Sequence, residues 1–247
     1  MKNLFKISLL SCVILISSCS KDNDPEPVAC ELTATPTTYA FTNADGVNTV
    51  AFTGQIARLQ KAKEVYDMMN ADLTVTTADI DALIDDANSK LITKTAENDP
   101  NRAAVIATLN SIMETYAASS ANFEAGITAE NGVAGFGPAN YQLDANGWEP
   151  DQQYAKMLIG ALCLEQNAYD YLTKIDLANN NLAPDGDNAY TKSEHYFDEA
   201  FGYVYGLDED FGATASISGD NKLLLGKYLT KHDGTSAQGE DLLGNVY

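Results

Sequence analysis

The segment from residue 102 to residue 125 has the clearest helical pattern in the chain, and it constrains the fold most. Its apolar residues recur three, four and seven positions apart, as one face of an α-helix requires: Val105, Leu109, Ile112, Tyr116 and Phe123. Asp99-Pro100 starts this helix, because proline is tolerated in the first turn. Such a face must be buried against other elements, and further helices are the expected partners.

Other segments carry similar apolar stripes, and no alternation typical of a strand extends beyond a few residues. Five further helices are predicted: one from Gln55, one capped by Thr77 and running to Leu91, one from Trp148 to about Asp176, one from Tyr190 to Tyr205 and one from Asn221. We therefore predict an all-α fold, a helical bundle with long irregular loops, over residues 39–247.

Residues 126–147 concentrate turn-forming residues between two of these helices. They contain five glycines together with Pro138 and several asparagines. A phosphate-binding loop is excluded, because no GxxxxGK[ST] pattern is present and no strand precedes the glycines. The segment is predicted to be a long exposed connection.

The first 19 residues have the parts of a bacterial lipoprotein signal. Lys2 and Lys6 form a positive region, and the apolar run 7–16 is too short for a stable membrane-spanning helix. Residues 16–19, Ile-Ser-Ser-Cys, resemble a lipobox, in which small residues admit the peptidase and the cysteine receives the lipid. Residues 1–18 are predicted to be a signal peptide, and Cys19 is the predicted lipidation site.

Residues 19–38 are predicted to be a lipidated, flexible and disordered tether. They are rich in Pro, Thr and acidic residues and have no apolar periodicity. The cluster at 20–24, Ser-Lys-Asp-Asn-Asp, resembles signals that send Bacteroidota lipoproteins to the outer face of the outer membrane. The expected location is therefore the cell envelope, with the protein anchored to the outer membrane and exposed at the surface.

The charge balance argues against nucleic acid as a partner. Without Lys2 and Lys6, 13 basic residues remain against 35 acidic ones, a net charge of −22. Such a surface repels phosphate backbones and anionic headgroups. The membrane is therefore expected to be a partner through the N-terminal lipid alone.

Two cysteines remain after Cys12 and Cys19 are assigned to the signal and the anchor. Cys30 lies in the tether and Cys163 in an apolar helical segment. A bridge between them stays open in an oxidising compartment, but no CxxC pair is present to bind zinc. Cys163 is expected to be a small core residue.

The candidate metal site lies on the predicted helix 190–205. His195 is three residues before Asp198 and four before Glu199, so both carboxylates can reach the imidazole. Helical bundles hold iron or zinc with this spacing, using further ligands from facing helices. The alternatives are a His–Glu pair on a solvated face and a histidine buried against a carboxylate. The apolar face of this helix is expected to contain Phe197, Phe201, Val204 and Tyr205.

Several segments together resemble the Bacteroidota lipoproteins of domain of unknown function 4856. They are residues 39–43 (YAFTN), 52–59 (FTGQIARL), Trp148 with 157–162 (MLIGAL), 194–203 (EHYFDEAFGY) and 226–228 (GKY). The resemblance covers residues 39–247 and implies a helical protein without an established activity. The genes of such proteins often lie beside those for imelysin-like and outer-membrane uptake proteins, which implies iron or haem as the ligand.

Two departures from that resemblance affect the interpretation. Members continue with further helices after the Gly-Lys-Tyr segment, so the helical domain is expected to be incomplete at its C-terminal end. The imelysin motif is GxHxxE, and Leu162 occupies its histidine position in the stretch from Gly160 to Glu165. Because leucine cannot coordinate a metal, the imelysin site is not carried over.

Three functions remain open at this point. The first is a cell-envelope binding protein that assists uptake of iron, haem or another metal, alongside outer-membrane uptake proteins. The second is a partner-docking structural subunit of an outer-membrane complex. The third is an imelysin-like metal-dependent hydrolase, which the missing motif disfavours, so no catalytic residues are predicted and a non-enzymatic function is expected.

Overall fold

The computed structural model describes residues 39–176, 184–205 and 224–232, and most of them are helical. All belong to one structural unit, Pro36–Tyr247. The eight α-helices of the described residues are α1 Thr53–Met69, α2 Thr77–Ile84, α3 Asp86–Ser89, α4 Leu91–Lys94, α5 Arg102–Glu124, α6 Pro150–Leu158, α7 Lys192–Tyr205 and α8 Leu224–His232. The predicted all-α fold is confirmed. The predicted signal, Cys19 and the tether lie outside the described residues.

The core forms where the long helices meet, and α5 contributes its predicted stripe. α1 packs against α2, α6 and α7, while α5 packs against α6. The largest fully enclosed side chains of this core come from most of the helices: Leu59, Met69, Ile80, Leu91, Leu109, Tyr116, Phe123, Tyr154, Leu158, Leu162 and Tyr203. In the part of the chain that the structure describes, no helix is both long and apolar enough to cross a bilayer.

The predicted helix from Thr77 to Leu91 is wrong beyond Ile84. Its cap is Thr76, whose side chain accepts from the Asp79 amide at 3.2 Å while Asp79 accepts from the Thr76 amide at 2.7 Å. Asp85 and Lys90 adopt left-handed conformations, with φ of 41° and 54°, and these end α2 and α3. The segment therefore turns twice, and its apolar residues reach the core from α2 and α4, whereas the predicted stripe residue Ala87 of α3 is exposed.

The predicted helix from Trp148 to Asp176 changes its winding along its length. After α6 it continues as a π-helical segment, Ile159–Tyr171, and ends in a 3₁₀ turn, Leu172–Lys174. This π-helical segment packs along α7 and buries Cys163 completely. Cys163 is a core residue, as predicted. Its thiol is free, and burial raises its pKa to about 12.

The last two predicted helices exist with shifted starts, and the predicted apolar face of α7 is partly wrong. α7 starts at Lys192, and the described part of the last helix starts at Leu224. Phe201 is buried as expected, but Phe197 is 41% exposed whereas Asp198 is 4% exposed. The helix is thus rotated so that a carboxylate, rather than Phe197, faces the interior.

The glycine-rich connection is more ordered than a plain exposed loop. It contains a short antiparallel pair, β1 (Gly135–Phe136) and β2 (Gln142–Leu143), in which Phe136 lies opposite Gln142. Gly135 is required by close packing, because a Cβ there would lie 2.8 Å from the Ala129 nitrogen. The hairpin places Phe136 and Gln142 beside the ends of α1 and α6.

Candidate functional site

The predicted metal-site residues lie in what we call the α7 cluster: Tyr39, Ala51, His195, Asp198 and Glu199. Asp198 ties the start of the described chain to α7. Its Oδ1 accepts a hydrogen bond from the Tyr39 hydroxyl at 2.5 Å, and its Oδ2 accepts one from the Ala51 amide at 2.7 Å. Both carboxylate oxygens therefore have donors from the protein, which is how a buried carboxylate is stabilised.

The environment of this carboxylate is dominated by burial. Burial raises the pKa of Asp198, although the hydrogen bonds from Tyr39 and Ala51 act in the opposite direction. Burial also raises the pKa of Tyr39, and the neighbouring charge of Asp198 adds to the effect. The Tyr39 ring stacks on Phe201 with a centroid separation of 3.7 Å, so packing and hydrogen bonding fix the same contact.

His195 and Glu199 are neighbours on α7, as the spacing predicts. His195 Nε2 lies 3.7 Å from Glu199 Oε2, and Glu199 Oε1 accepts from Gln55 Nε2 at 3.0 Å. The imidazole stacks on Tyr190 with a centroid separation of 4.4 Å, and its enclosed Nδ1 has no hydrogen-bond partner among the described residues. The histidine thus has an aromatic and an acidic neighbour.

The Asp198 carboxylate accepts hydrogen bonds from Tyr39 and Ala51 and is not directed toward the His195–Glu199 pair. Among the described residues, no group of three or more His, Cys, Asp or Glu side chains could hold a metal ion. A metal at His195, Asp198 and Glu199 therefore stays a prediction, and the geometry gives Asp198 a structural role that the sequence did not indicate.

A second site, the acidic pocket, lies between the C-terminal end of α1, the hairpin and the start of α6. It has a volume of about 790 Å³, within the size range of small-molecule sites. The residues that define it here are polar and come from all three elements: Tyr66, Asp72, Gln142, Glu149, Asp151 and Gln152. No pattern in the sequence singled them out.

The hydrogen bonds of the pocket connect these elements but leave one acceptor without a donor. Gln152 Nε2 donates to Asp151 Oδ2 at 2.8 Å and to the Tyr66 hydroxyl at 3.0 Å. The Gln142 side-chain amide donates to Asp72 Oδ1. Gln142 is 8% exposed, and its enclosed Oε1 accepts no hydrogen bond in the described part of the chain. An enclosed acceptor without a donor costs about 1–3 kcal/mol.

The charges of the pocket are not neutralised within it. Asp72, Glu149, Asp151 and Lys156 all line the pocket, and none of them forms a salt bridge with a described residue. Burial raises the pKa of Tyr116 to about 12, and Asp72 and Asp151 both add to this shift. The two carboxylates therefore act electrostatically on the same small region.

Aromatic side chains complete the pocket and its surroundings. Phe136 and Tyr141 line it, and Tyr141 is 54% exposed. Trp148, next to the lining residue Glu149, is 61% exposed. Large aromatic side chains beside a polar cavity offer flat surfaces for a ligand.

Left-handed backbone conformations shape the two turns that border the pocket, the turn after α1 and the hairpin loop. Asp72 ends the turn after α1 with φ of 49°, and Asn140 has φ of 62° in the hairpin loop. Asp and Asn tolerate this left-handed conformation better than other side chains. Because the lining residues are spread along the chain from Tyr66 to Lys156, no local spacing could have revealed their convergence. The aromatic residues Tyr141 and Trp148, in and beside the glycine-rich turn, were the available signal.

The fold and the pocket define a mainly helical domain with a polar cavity of ligand size. The chain belongs to the family described as Domain of unknown function (DUF4856), whose model matches residues 92–243. The resemblance predicted from the sequence is confirmed over that range, which includes the hairpin, α5, α6 and α7 but not α1. Comparisons with curated proteins and with solved structures find no match.

Proposed function

We propose that this chain is a ligand-binding protein of the cell envelope, anchored to the outer membrane through Cys19, and that its ligand occupies the acidic pocket. The observation that carries the proposal is that, among the described residues, Gln142 Oε1 has no hydrogen-bond partner and the neighbouring carboxylates form no salt bridge. Polar groups in folded proteins are normally satisfied, so groups left unsatisfied in a cavity are candidates for ligand contacts. A smaller cavity of about 350 Å³ lies beside Tyr39, Phe197 and Asp198, but both carboxylate oxygens of Asp198 already accept hydrogen bonds from the protein.

The ligand is expected to be a small polar molecule that donates hydrogen bonds. Carboxylates can only accept hydrogen bonds when ionised, and the free atom of Gln142 is also an acceptor. Asp72, Glu149 and Asp151 also outnumber Lys156, the one cation among the described residues of the lining. Tyr66, Phe136 and Tyr141 would contact the apolar parts of such a ligand.

Uptake of iron, haem or another metal is a second candidate of the same class. It is favoured by the 3.7 Å His195–Glu199 pair and by what the family resemblance implies. A partner-docking subunit would need neither site, and an imelysin-like hydrolase would need the histidine that Leu162 replaces.

The direct test is to identify what the protein carries when it is purified from its native envelope. We expect mass spectrometry of the denatured sample to release a small polar molecule from the parent and much less from Asp151→Asn. Asp81→Asn is the matched control, because it makes the same change on the exposed face of α2. Stoichiometric metal or haem that disappears in His195→Ala would instead place the function at the α7 cluster.

The anchor has its own test in the replacement of Cys19 by Ala. The parent is expected to fractionate with membranes and to incorporate a labelled acyl chain, whereas the variant should do neither. A variant that stays as membrane-bound as the parent, with the same labelling, would show that the anchor is not this cysteine.

A further inference from the structure

We infer that the ligand of the acidic pocket carries a positive charge, as an ammonium or guanidinium group on a polar organic body. The inference rests on the proposed function, because it names the chemistry of the molecule that the same pocket would bind. Charge, hydrogen bonding and aromatic contacts each contribute to it.

The charge of the pocket favours a cation. Asp72, Glu149 and Asp151 face a single cation, Lys156, which is exposed. Asp151 is only 7% exposed, yet it accepts a hydrogen bond from the neutral amide of Gln152 rather than from a charged group. Burying a carboxylate without a counter-charge is costly, and a cationic ligand would reduce that cost.

The partial charges of the two helix ends at the pocket do not change the net negative charge of its lining. Asp151 lies in the first turn of α6, where the partial positive charge of the helix terminus stabilises a carboxylate. Asp72 has no such support, because it follows the C-terminal end of α1, where the partial charge is negative. The negative end of α1 and the positive end of α6 have opposite effects, so the side-chain carboxylates determine the sign of the electrostatic potential in the pocket.

The free hydrogen-bonding atom also favours a donor ligand. Gln142 Nε2 faces Asp72 Oδ1, and an ionised carboxylate can only accept, which assigns Oε1 as the atom without a partner. Oε1 is enclosed, so the amide must shift to reach a ligand. An ammonium or guanidinium group supplies several donors that could engage Gln142 and a carboxylate together.

The aromatic lining suits the same ligand. Tyr66, Phe136 and Tyr141 line the cavity with Asp72 and Asp151, so a cation there would have aromatic rings as well as carboxylates as neighbours. The negative face of an aromatic ring attracts organic cations. A bare metal ion fits less well, because no group of three or more ligating side chains that could hold one occurs in the described residues.

Matched pairs of probes separate charge from shape. We would titrate the full chain in detergent, by calorimetry, with putrescine against 1,4-butanediol and with glucosamine against glucose. The cationic member of at least one pair is expected to bind at least about tenfold more tightly than its neutral counterpart. Raising the ionic strength from about 0.01 M to about 0.15 M should weaken that binding, because the Debye length shortens.

Variants connect this preference to the pocket. Asp151→Asn is expected to remove most of the preference for the cation, and Gln142→Ala to weaken binding of both members of the pair. Asp81→Asn should change neither, and thermal melts of all three variants establish that they are folded. Retention of the full preference in Asp151→Asn would overturn the inference.

The remaining outcomes distinguish failure of the cationic-ligand inference from failure of the proposed binding function. Equal binding of the neutral and cationic probes, lost in Gln142→Ala, would overturn the positive charge and leave a pocket for neutral ligands. Tighter binding of Ca²⁺ or Mg²⁺ than of either amine would overturn the organic cation in favour of a metal ion. Failure of every probe to bind, or binding unchanged in both pocket variants, would overturn the inference and the proposed function together.

Discussion

The α7 cluster and the acidic pocket both combine carboxylates with tyrosines, but they differ in the hydrogen bonding around their buried carboxylates, although His195 Nδ1 in the α7 cluster also has no partner among the described residues. In the α7 cluster, Asp198 accepts from Tyr39 and from the Ala51 amide. In the pocket, Gln142 Oε1 has no partner among the described residues, and Asp151 Oδ2 accepts from the neighbouring Gln152 amide. Satisfied buried groups stabilise a fold, whereas unsatisfied groups around a cavity are available to a ligand. We therefore assign a structural role to Asp198 in the first region and propose ligand binding for the second.

High pH should produce the largest effect, and it acts on the buried tyrosines. Burial raises the pKa of Tyr39, Tyr154 and Tyr203 above the ordinary value of 10.0, and that of Tyr116 to about 12. These groups keep their protons in the folded state and lose them in the unfolded state. Their contribution is complete below pH 10 and is lost as the pH rises through the folded pKa, by about 1.4 kcal/mol per pH unit for each group.

Urea denaturation between neutral pH and pH 11 measures this loss. Tyr154→Phe is the informative variant, because the enclosed hydroxyl of Tyr154 has no hydrogen-bond partner among the described residues. It should reduce the dependence on pH without weakening the protein at neutral pH. A free energy of unfolding that stays constant through this range would contradict the account.

Removal of the Asp198 carboxylate is expected to have the next largest effect. Asp198→Ala leaves the Tyr39 hydroxyl and the Ala51 amide without their acceptor, and we expect a loss of about 2–3 kcal/mol in the free energy of unfolding. Asp198→Asn should cost less, since its Oδ1 can accept from Ala51 while its Nδ2 donates to the Tyr39 oxygen. Chemical denaturation compares both with Asp81→Ala, and a loss no larger than in that exposed control would contradict the structural role.

Close packing of α7 against α1 leaves no room for a larger residue at Gly202, and we expect overpacking there to lower the free energy of unfolding by about 1–3 kcal/mol. A Cβ at Gly202 would lie 2.8 Å from Phe52 Cδ2 and 2.9 Å from Gln55 Cβ, so Gly202→Ala should destabilise the protein. Gly160→Ala is the matched control, because nothing lies within 4 Å of its Cβ position and alanine is the better helix former. Equal melting temperatures for the two variants would show that the α1–α7 contact is looser than described.

The smallest effect is expected at His195. His195→Ala removes the His–Glu pair, worth about 0.2–0.5 kcal/mol, and the stacking on Tyr190, worth about 0.5–1.5 kcal/mol. We expect a small decrease in stability and no change in the binding of a pocket ligand. Titration with Fe²⁺, Zn²⁺ and haem tests the alternative, and binding that disappears in this variant would restore the metal site on α7.

Periodicity predicted the long helices because their burial follows a local pattern. The stripe of α5 from Leu109 to Phe123 is buried as the spacing indicates. The break after Ile84 depends on left-handed residues at Asp85 and Lys90, which the apolar pattern does not encode. The hairpin was missed because each of its strands has two residues, too few to show alternation.

The candidate sites show a different limit of local patterns. The spacing of His195 and Glu199 predicts their contact correctly, but it also groups Asp198 with them, whereas Asp198 is buried and accepts hydrogen bonds from other segments. Its partners, Tyr39 and Ala51, lie about 150 residues earlier, so only the tertiary structure reveals them. The acidic pocket is assembled from three separate elements in the same way, and spacing along one helix carries no information about it.

The most direct test compares the two regions in one calorimetric titration with glucosamine. Asp151→Asn removes the carboxylate of the pocket and Asp198→Asn removes that of the α7 cluster, each with minimal change in shape, and the parent retains both. We expect Asp151→Asn to bind at least about tenfold more weakly than the parent, and Asp198→Asn to bind with unchanged affinity despite its lower stability. Unchanged binding in Asp151→Asn together with weakened binding in Asp198→Asn would contradict the account and move the ligand site to α7.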